Sequence, residues 1–417
     1  MLLIRALLYA YFVVLLIIEG RFFIGASVAP ETFLFSLITY SVVSLISLRY
    51  IDFSRFIKDH KCIIKLLILF FAINFLSAIK NGGMGYYLFH FLLWPANFAV
   101  VLLLITDNKK LTAMMILLTI VAVVRCCLYL CHVNPWIVLH EVSSTESYRN
   151  PFAYSLMLPF IFVAIKFIHS KLRIVSLLWF VLLSVFLLTL LSTLSRGGYF
   201  SIILTLCGVS VFYLVQSKGK KYRAFAPLTV MAIFFIGILS VPEYLIRFKS
   251  MYRIDIPSSL MYRYNIYRTS LFMAISNPFW GVGPGRFAYA VRDYAMNPDV
   301  LSPEVALRLK SLTDSDFAQI LAETGFLSLS IFIFMLAVVC SKYVTLIKNI
   351  HNHTMRMQTL IMTLSFGFAM YIINMAFDNT MTSSLGWFLL GFFYVGSRQD
   401  IYLKSTVDFL DNNTQDT

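Results

Sequence analysis

Basic side chains gather in one polar interval of an otherwise apolar chain. This interval, about residues 243–316, separates blocks of almost unbroken hydrophobic sequence. A guanidinium presents a fixed fork of donors that matches phosphate oxygens. The interval is therefore predicted to bind an anionic ligand. Its cationic residues are Arg247, Lys249, Arg253, Arg263, Arg268, Arg286, Arg292, Arg308 and Lys310.

One further arginine, Arg196, lies at the junction of two apolar segments, within Thr193-Leu194-Ser195-Arg196-Gly197-Gly198. The two glycines allow a tight reversal and a close approach of the backbone to a ligand. A guanidinium so near a membrane surface either snorkels to the interface or meets an anion. The position leaves both interpretations open, and the functional one is a phosphate clamp.

Two carboxylates, Asp314 and Asp316, stand where the polar interval enters the next apolar segment. Aspartate at the start of a helix can cap it and is favourable to its dipole. A carboxylate beside arginines can instead take a proton from a sugar hydroxyl. On the second interpretation Asp314 is the candidate base and Asp316 a candidate substrate-binding residue. Glu323 falls two turns further on, where a buried acid must face protein, water or a basic partner.

A cluster of glycine and proline, Pro278-Phe279-Trp280-Gly281-Val282-Gly283-Pro284-Gly285-Arg286-Phe287, predicts a tight turn flanked by aromatic residues. No βαβ unit is plausible here, so the pattern does not indicate a dinucleotide site. Before the turn, Arg263 and Tyr267 share a face of a predicted helix that ends near Ser276. A helix lying on the membrane surface and a helix lining a ligand site both fit this pattern.

Metal and cofactor sites are not predicted. The six cysteines form no CxxC pair with a matching histidine cluster, so neither zinc nor a disulfide framework is indicated. Arg125, near the end of one apolar segment, and Arg149, just before another, are additional candidate anion contacts.

The composition indicates a polytopic membrane protein. Of 417 residues, 59% are hydrophobic and 13% charged, whereas soluble domains average about 45–50% apolar and about 25% charged. The net charge of +14 does not predict nucleic-acid binding, which needs a continuous basic face.

Apolar segments of about 20 residues predict an all-α fold with about twelve membrane spans. Alternate loops carry most of the lysines and arginines, which places both termini in the cytoplasm and the interval 243–316 outside it as one large loop. We expect a single integral membrane domain over residues 1–417, with a short polar cytoplasmic tail at 400–417. The predicted spans are 3–18, 31–48, 63–79, 86–106, 111–131, 152–169, 173–192, 198–216, 225–242, 317–340, 358–376 and 381–396.

Three motifs in this order resemble the O-antigen ligase/polymerase family. They are Ser195-Arg196-Gly197-Gly198, then Arg263 followed by the 277–287 turn segment, then Gln319-Ile320-Leu321-Ala322-Glu323-Thr324-Gly325. The similarity covers roughly residues 145–396. It implies a glycosyltransferase of the GT-C type in the bacterial inner membrane, with its active site on the periplasmic side.

The resemblance also implies the reaction and its partners. Such enzymes move a glycan from an undecaprenyl-diphosphate-linked donor to an acceptor glycan or lipid A-core, without a metal or another cofactor. Arg196 is implied as a catalytic residue that holds the diphosphate, with Arg263 and Arg286 as substrate-binding helpers. Chain-length regulators and flippases are the candidate protein partners.

One departure from the family pattern favours a polymerase. Ligases of this family carry a His-Asn pair where this chain has Asp314-Ser315, and that histidine is taken to be the base. An aspartate can serve instead in an inverting displacement. Polymerisation of O-antigen, capsule or exopolysaccharide repeat units is therefore the first hypothesis. A ligase acting on lipid A-core or protein is the second, and a membrane transporter is the third.

Overall fold

The computed structural model describes residues 57–83, 98–99, 101–102, 105–131, 146–170, 173–193, 195–216, 225–242, 245–246, 259–294, 315–377 and 384–398. Every regular element in these ranges is helical, which confirms the predicted all-α fold for this part of the chain. The helices are α1 (Lys61–Asn81), α2 (Asn108–Leu130), α3 (Glu146–His169), α4 (Arg173–Ser192), α5 (Arg196–Gln216), α6 (Phe225–Ser240), α7 (Ser259–Ser276), α8 (Phe287–Tyr294), α9 (Asp316–Lys348), α10 (Met355–Phe377) and α11 (Ser384–Gly396).

Seven of these helices contain a segment long and apolar enough to cross a membrane. The seven segments are Lys61–Asn81, Asn108–Leu130, Phe152–His169, Ile174–Ser192, Gly197–Val215, Asp316–Lys348 and Met355–Ala376. Two shorter apolar helices, Pro227–Ser240 and Gly386–Gly396, coincide with two more predicted spans. The predicted spans 3–18 and 31–48 lie outside the described residues, as does most of 86–106, so the count of twelve stays a prediction.

Local capping fixes where individual helices begin. The Asp107 carboxylate accepts a hydrogen bond of 2.8 Å from the Lys110 amide at the start of α2, which satisfies an amide that has no partner inside the helix. The Lys110 ammonium lies 3.2 Å from the same carboxylate. Burial alone would raise the pKa of Asp107, but these bonds and the Lys110 charge lower it overall.

The described residues divide into two compact units. The first draws on Met1–Leu104, Ile254–Cys340 and Met375–Phe392, and the second on Ile105–Arg253, Ser341–Asn374 and Phe393–Thr417. The first unit therefore contains most of the polar interval and the start of α9. The predicted single membrane domain, the loop 243–316 and the tail 400–417 stay predictions.

A polar contact ties three helices of the second unit together. His169, at the end of α3, places Nδ1 2.7 Å from the Thr359 hydroxyl and Nε2 2.5 Å from the Tyr213 hydroxyl. Thr359 donates to the Met355 carbonyl, so its oxygen is left to accept from Nδ1–H. The Tyr213 hydroxyl also lies 3.6 Å from the Met362 sulfur, a weaker acceptor than an imidazole nitrogen, so we assign Tyr213 as the donor to Nε2 and His169 as the neutral Nδ1–H tautomer.

Aromatic packing holds the first unit around α1. The rings of Phe70 and Phe71 lie 6.0 and 5.3 Å from Trp387 of α11, and Phe70 lies 5.7 Å from Phe332 of α9. Aromatic pairs at these separations add to the stability that burial already gives. The packing sets the position of α1 beside α9, and both helices support the site described next.

Candidate active site

Helix α9 begins at a serine cap. Ser315 precedes the helix, and its hydroxyl accepts from the Ala318 amide at 3.4 Å, which is the usual geometry of an N-cap residue. The Ser315 carbonyl also accepts the first backbone bond of the helix, from Gln319. Asp316 is therefore the first residue of the helix rather than its cap, and it is 1% exposed.

The same helix is broken two and a half turns later. Gly325 has φ 80° and ψ −178°, a conformation that is essentially restricted to glycine. A Cβ at this position would lie 2.6 Å from the Pro278 carbonyl oxygen. Only glycine fits, because the 277–285 turn presses against the helix at the break.

The turn supplies the hydrogen bonds that the break removes from α9. The amides of Val282 and Gly283 each donate at 2.9 Å, to the Ala322 and Glu323 carbonyls respectively. In the opposite direction, the Phe326 amide donates to the Pro278 carbonyl at 2.9 Å. Broken backbone at membrane depth is tolerated only where protein resatisfies it. The 277–285 turn, which we call the glycine turn, therefore hydrogen-bonds to α9 through its backbone.

Gly281, in the turn itself, also has no room for a side chain. Gly281 has φ 59°, and a Cβ there would lie 2.5 Å from both the Ala322 carbonyl oxygen and the Thr324 amide nitrogen. Such overlap with backbone atoms cannot be relieved by rotating a side chain. The glycines from which the sequence predicted only a tight turn are also needed for this close approach to α9.

The end of α1 holds the turn from the other side. The Ser77 hydroxyl donates to the Trp280 carbonyl at 2.5 Å, and the Asn81 amide donates to the Gly281 carbonyl at 2.9 Å. Arg286 donates from its guanidinium to the Asn81 carbonyl. This contact places Arg286, which the sequence predicted as a substrate-binding residue, at the end of α1.

The buried Glu323 carboxylate completes the same junction. One oxygen accepts from the Phe287 amide at 3.2 Å, at the first residue of α8, and the Gly285 backbone also hydrogen-bonds to the group. The other oxygen accepts from the Gln319 side-chain amide at 3.2 Å. A carboxylate at a helix N-terminus is stabilised by the unpaired amides and the helix dipole. Glu323 thus joins α9 to α8.

Polar groups also converge around the Tyr267 hydroxyl, at the start of α9. This hydroxyl lies 2.7 Å from the Ser315 hydroxyl and donates to the Ala376 carbonyl at 2.5 Å. Desolvation raises the pKa of Tyr267 and the nearby Asp316 acts in the same direction, whereas the bond to Ser315 and the Arg263 charge oppose them. The net shift is upward, so the phenol is protonated at neutral pH. The structure thus brings Arg263 and Asp316 to one tyrosine.

For several other predicted site residues, the structure describes the backbone but not the side chain, or neither. Arg196 is the first residue of α5 and Arg149 lies in the first turns of α3, but their side chains are outside the described part, as is all of Asp314. Arg125 donates to the Ser155 hydroxyl at 3.1 Å and lies 5.1 Å from the centre of the Phe152 ring, so its contacts are with α3. The roles predicted for these residues stay predictions.

Several residues of the site were missed by sequence analysis. Ser77 and Asn81 lie on α1, about 200 positions before the turn they hold, and nothing in an isolated apolar span distinguishes them. Asn265 and Ser270 of α7 are buried at 7% and 0% exposure. They lie on different faces of α7, so no helical pattern in the sequence marks them together.

Within the ranges that the structure describes, no three His, Cys, Asp or Glu side chains lie close enough together to hold a metal ion. The chemistry that the site offers there comes from Arg263, Tyr267, Ser315 and Asp316. These groups can bind an anion, donate hydrogen bonds and accept a proton. The expectation of metal-independent chemistry stays a prediction.

The comparison with known families agrees with the resemblance drawn from the motifs. Residues 179–333 match the family model described as O-antigen ligase. The match includes α5, α7, the glycine turn, α8 and the first part of α9, and it confirms the resemblance to the O-antigen ligase/polymerase family. It supports a glycan-transfer role in O-antigen biosynthesis and, together with the apolar helices, a multi-pass inner-membrane protein. No curated protein matches the chain.

We expect Glu323 to act through structure rather than through proton transfer. Glu323→Ala should lower the free energy of unfolding by roughly 2–4 kcal/mol, because it leaves buried donors without an acceptor. Glu323→Gln keeps one carbonyl oxygen for the Phe287 amide and should retain most of the stability and activity. Thermal unfolding in detergent, with an activity assay alongside, checks both. Wild-type stability with lost activity in Glu323→Gln would contradict a structural role.

Proposed function

We propose that the protein transfers a glycan from an undecaprenyl-diphosphate-linked donor to an acceptor at the periplasmic face of the bacterial inner membrane. The proposed reaction is the polymerisation of repeat units of O-antigen, capsule or exopolysaccharide. The observation that carries this proposal is the grouping of Arg263, Tyr267, Ser315 and Asp316 at the start of α9. All four residues lie within the segment 179–333 that matches the O-antigen ligase family.

The proposed chemistry is a single displacement at the anomeric carbon. A hydroxyl of the acceptor sugar attacks that carbon and forms the new glycosidic bond, while the bond from the carbon to the diphosphate oxygen breaks. The acceptor proton passes to a carboxylate, for which we propose Asp314. The leaving group is undecaprenyl diphosphate, whose departure develops negative charge on the bridging oxygen.

Cationic side chains would stabilise that developing charge. Arg263 is half-buried on α7, where its charge is less screened than on an open surface. We propose that Arg263 holds the diphosphate, with Arg196 as a second clamp and Arg286, Arg149 and Arg125 as further anion contacts. One well-placed donor at a developing anion contributes about 3–4 kcal/mol to transition-state stability.

A ligase is the second candidate, favoured by the description of the matching family. The chemistry at the donor is the same, and the acceptor is lipid A-core or a protein instead of another repeat unit. Asp314-Ser315 at the position of the family's His-Asn pair favours the polymerase. The two candidates differ in their product, so a product analysis separates them.

Deletion of the gene, followed by electrophoresis of the surface polysaccharide, tests the proposal directly. We expect lipid A-core capped by single repeats, because repeats would still be made and attached but not joined. Uncapped lipid A-core with polymer still on its lipid carrier would indicate the ligase. Unchanged glycans with altered solute uptake would contradict both and favour a transporter.

Arg263→Ala should reduce glycan transfer by about 10²–10³-fold, because a donor aimed at the leaving diphosphate is lost. Arg263→Lys keeps the charge without the bidentate fork and should recover part of the rate. The matched control is Arg268→Ala on the same helix, whose exposed guanidinium lies over Phe272. If Arg268→Ala and Arg263→Ala reduced glycan transfer equally, Arg263 would have no specific role in the site. The assay is transfer of labelled oligosaccharide in membranes, normalised to inserted protein.

The base is tested by replacing the two aspartates separately. Asp314→Asn should lower kcat by about 10²–10⁴-fold, the usual contribution of general base catalysis, with little change in donor binding. Asp316→Asn should chiefly raise KM. The exposed Asp293 on α8 supplies the control Asp293→Asn, which should behave as wild type. A large kcat loss in Asp316→Asn alone would assign the base to Asp316 instead.

A further inference from the structure

The end of α10 and the start of α9 are joined through two side-chain hydroxyls. Helix α10 ends at Phe377, so the carbonyls of Met375 and Ala376 lie in its last turn, where no amide of the helix can reach them. The Tyr267 hydroxyl donates to the Ala376 carbonyl at 2.5 Å. The Ser315 hydroxyl lies 3.3 Å from the Met375 carbonyl. Side chains of α7 and of the α9 cap therefore supply partners for the last carbonyls of α10.

The direction of the hydrogen bonds in this contact follows from the number of protons available. Each hydroxyl has one proton to donate. Tyr267 gives its proton to the Ala376 carbonyl, in the shortest of these bonds, so Ser315 is the donor across the 2.7 Å between the two hydroxyls. The Ser315 oxygen accepts from the Ala318 amide at 3.4 Å. One chain of hydrogen bonds thus runs from Ala318 N–H through Ser315 and Tyr267 to the Ala376 carbonyl.

The helix dipoles favour the same direction. The Ala318 amide belongs to the first turn of α9, which carries partial positive charge, and the Ala376 carbonyl to the last turn of α10, which carries partial negative charge. Each bond in such a chain polarises the next in the same sense. Water has little access to the α9 end of the chain, since Ser315 is 0% and Asp316 1% exposed. The chain therefore holds the start of α9 firmly against the end of α10.

This arrangement limits what Tyr267 can do for a substrate. A hydroxyl that donates to the Ala376 carbonyl has no second proton to give to a reacting group. The position it imposes matters instead, because Ser315 directly follows Asp314, the proposed base, in the sequence. We infer that Tyr267 is a positioning residue, which aligns the base by tying the start of α9 to the end of α10. This inference rests on the proposed glycan-transfer function.

Tyr267→Phe tests the inference because it removes the hydroxyl and keeps the ring. The kcat of oligosaccharide transfer should fall about 10- to 100-fold, because a small displacement of a reacting group costs its alignment. The KM of the lipid-linked donor should stay within about twofold of the wild-type value. The matched control is Tyr264→Phe on the same helix, whose side chain is 56% exposed, and it should behave as wild type.

Combining Tyr267→Phe with the loss of the base separates positioning from a general weakening of the structure. If Tyr267 acts through the base, its hydroxyl contributes nothing once the base is absent. In the background of Asp314→Asn, Tyr267→Phe should therefore lower kcat by less than about twofold. A general weakening would multiply with the loss caused by Asp314→Asn. Where Asp316→Asn has the larger effect on kcat, the same comparison is made in that background.

Ser315→Ala interrupts the same chain at its other hydroxyl. It should lower kcat at least as much as Tyr267→Phe, because it also removes the cap of α9. The double variant should be no slower than Ser315→Ala alone, since a chain that is already broken gains nothing from the Tyr267 hydroxyl. The assay is transfer of labelled oligosaccharide in membranes, normalised to inserted protein. It is run well below the melting temperature of each variant, measured in detergent.

Three results would overturn the positioning role while leaving the proposed function intact. The first is a wild-type kcat in Tyr267→Phe. The second is a loss in Tyr267→Phe that multiplies fully with the loss in Asp314→Asn and in Asp316→Asn. The third is a higher donor KM with an unchanged kcat, which would mean that Tyr267 contacts the donor. A wild-type protein that transfers no glycan in this assay would instead contradict the proposed function itself.

Discussion

The structure around the candidate site depends on how the break in α9 is satisfied. Gly325 interrupts the helix, and an interruption leaves amides and carbonyls that the membrane cannot hydrogen-bond. The Pro278–Gly283 turn supplies partners on both sides of the break, at 2.9 Å for each of three backbone bonds. Because the partners are backbone atoms, the turn must approach closely, and glycine at 281 and 325 permits this.

This junction between the glycine turn and α9 determines how α7 packs against α9. The Asn277 amide continues the bonding of α7 through the Met273 carbonyl, and the Gly281 amide donates to the Asn277 carbonyl. Helix α7 therefore runs directly into the turn. Docking of the turn on α9 then sets which face of α7 meets α9, and it places Tyr267 beside Ser315. The reacting groups proposed here lie about two turns before this backbone contact along α9.

The two acidic residues of α9, Asp316 and Glu323, have different roles. Glu323 is buried at 4% exposure and accepts hydrogen bonds from α8 and from Gln319, so its charge serves the junction. Asp316 lies at the first turn, beside Tyr267 and within the influence of Arg263. A carboxylate used for binding or proton transfer must keep an oxygen available to substrate. Both Glu323 oxygens already accept hydrogen bonds from the protein, whereas Asp316, which is 1% exposed, adjoins Tyr267 at the start of the helix.

Much of the fold could be predicted from the sequence, because the hydrocarbon core of a membrane offers no hydrogen-bond partner to the backbone. Apolar runs of sufficient length, such as those that became α1, α2 and α10, have little choice except to form helices. The end of α7 at Ser276 and the glycine turn were also predicted correctly, since proline and glycine act locally. The motifs around Arg196, Arg263 and Gln319 were enough to indicate the family.

The sequence by itself determined the helical class, the positions of the described apolar helices and the segment where charged chemistry concentrates, because these follow from local composition. Only the tertiary structure decided that Tyr267 meets Ser315, that Glu323 joins two helices, and that Arg286 reaches the end of α1. It also decided that Asn265, Ser270 and Gln319 are buried. Each of these facts depends on contacts between residues distant in sequence, and the same side chains would look equally plausible in several roles until those contacts are known.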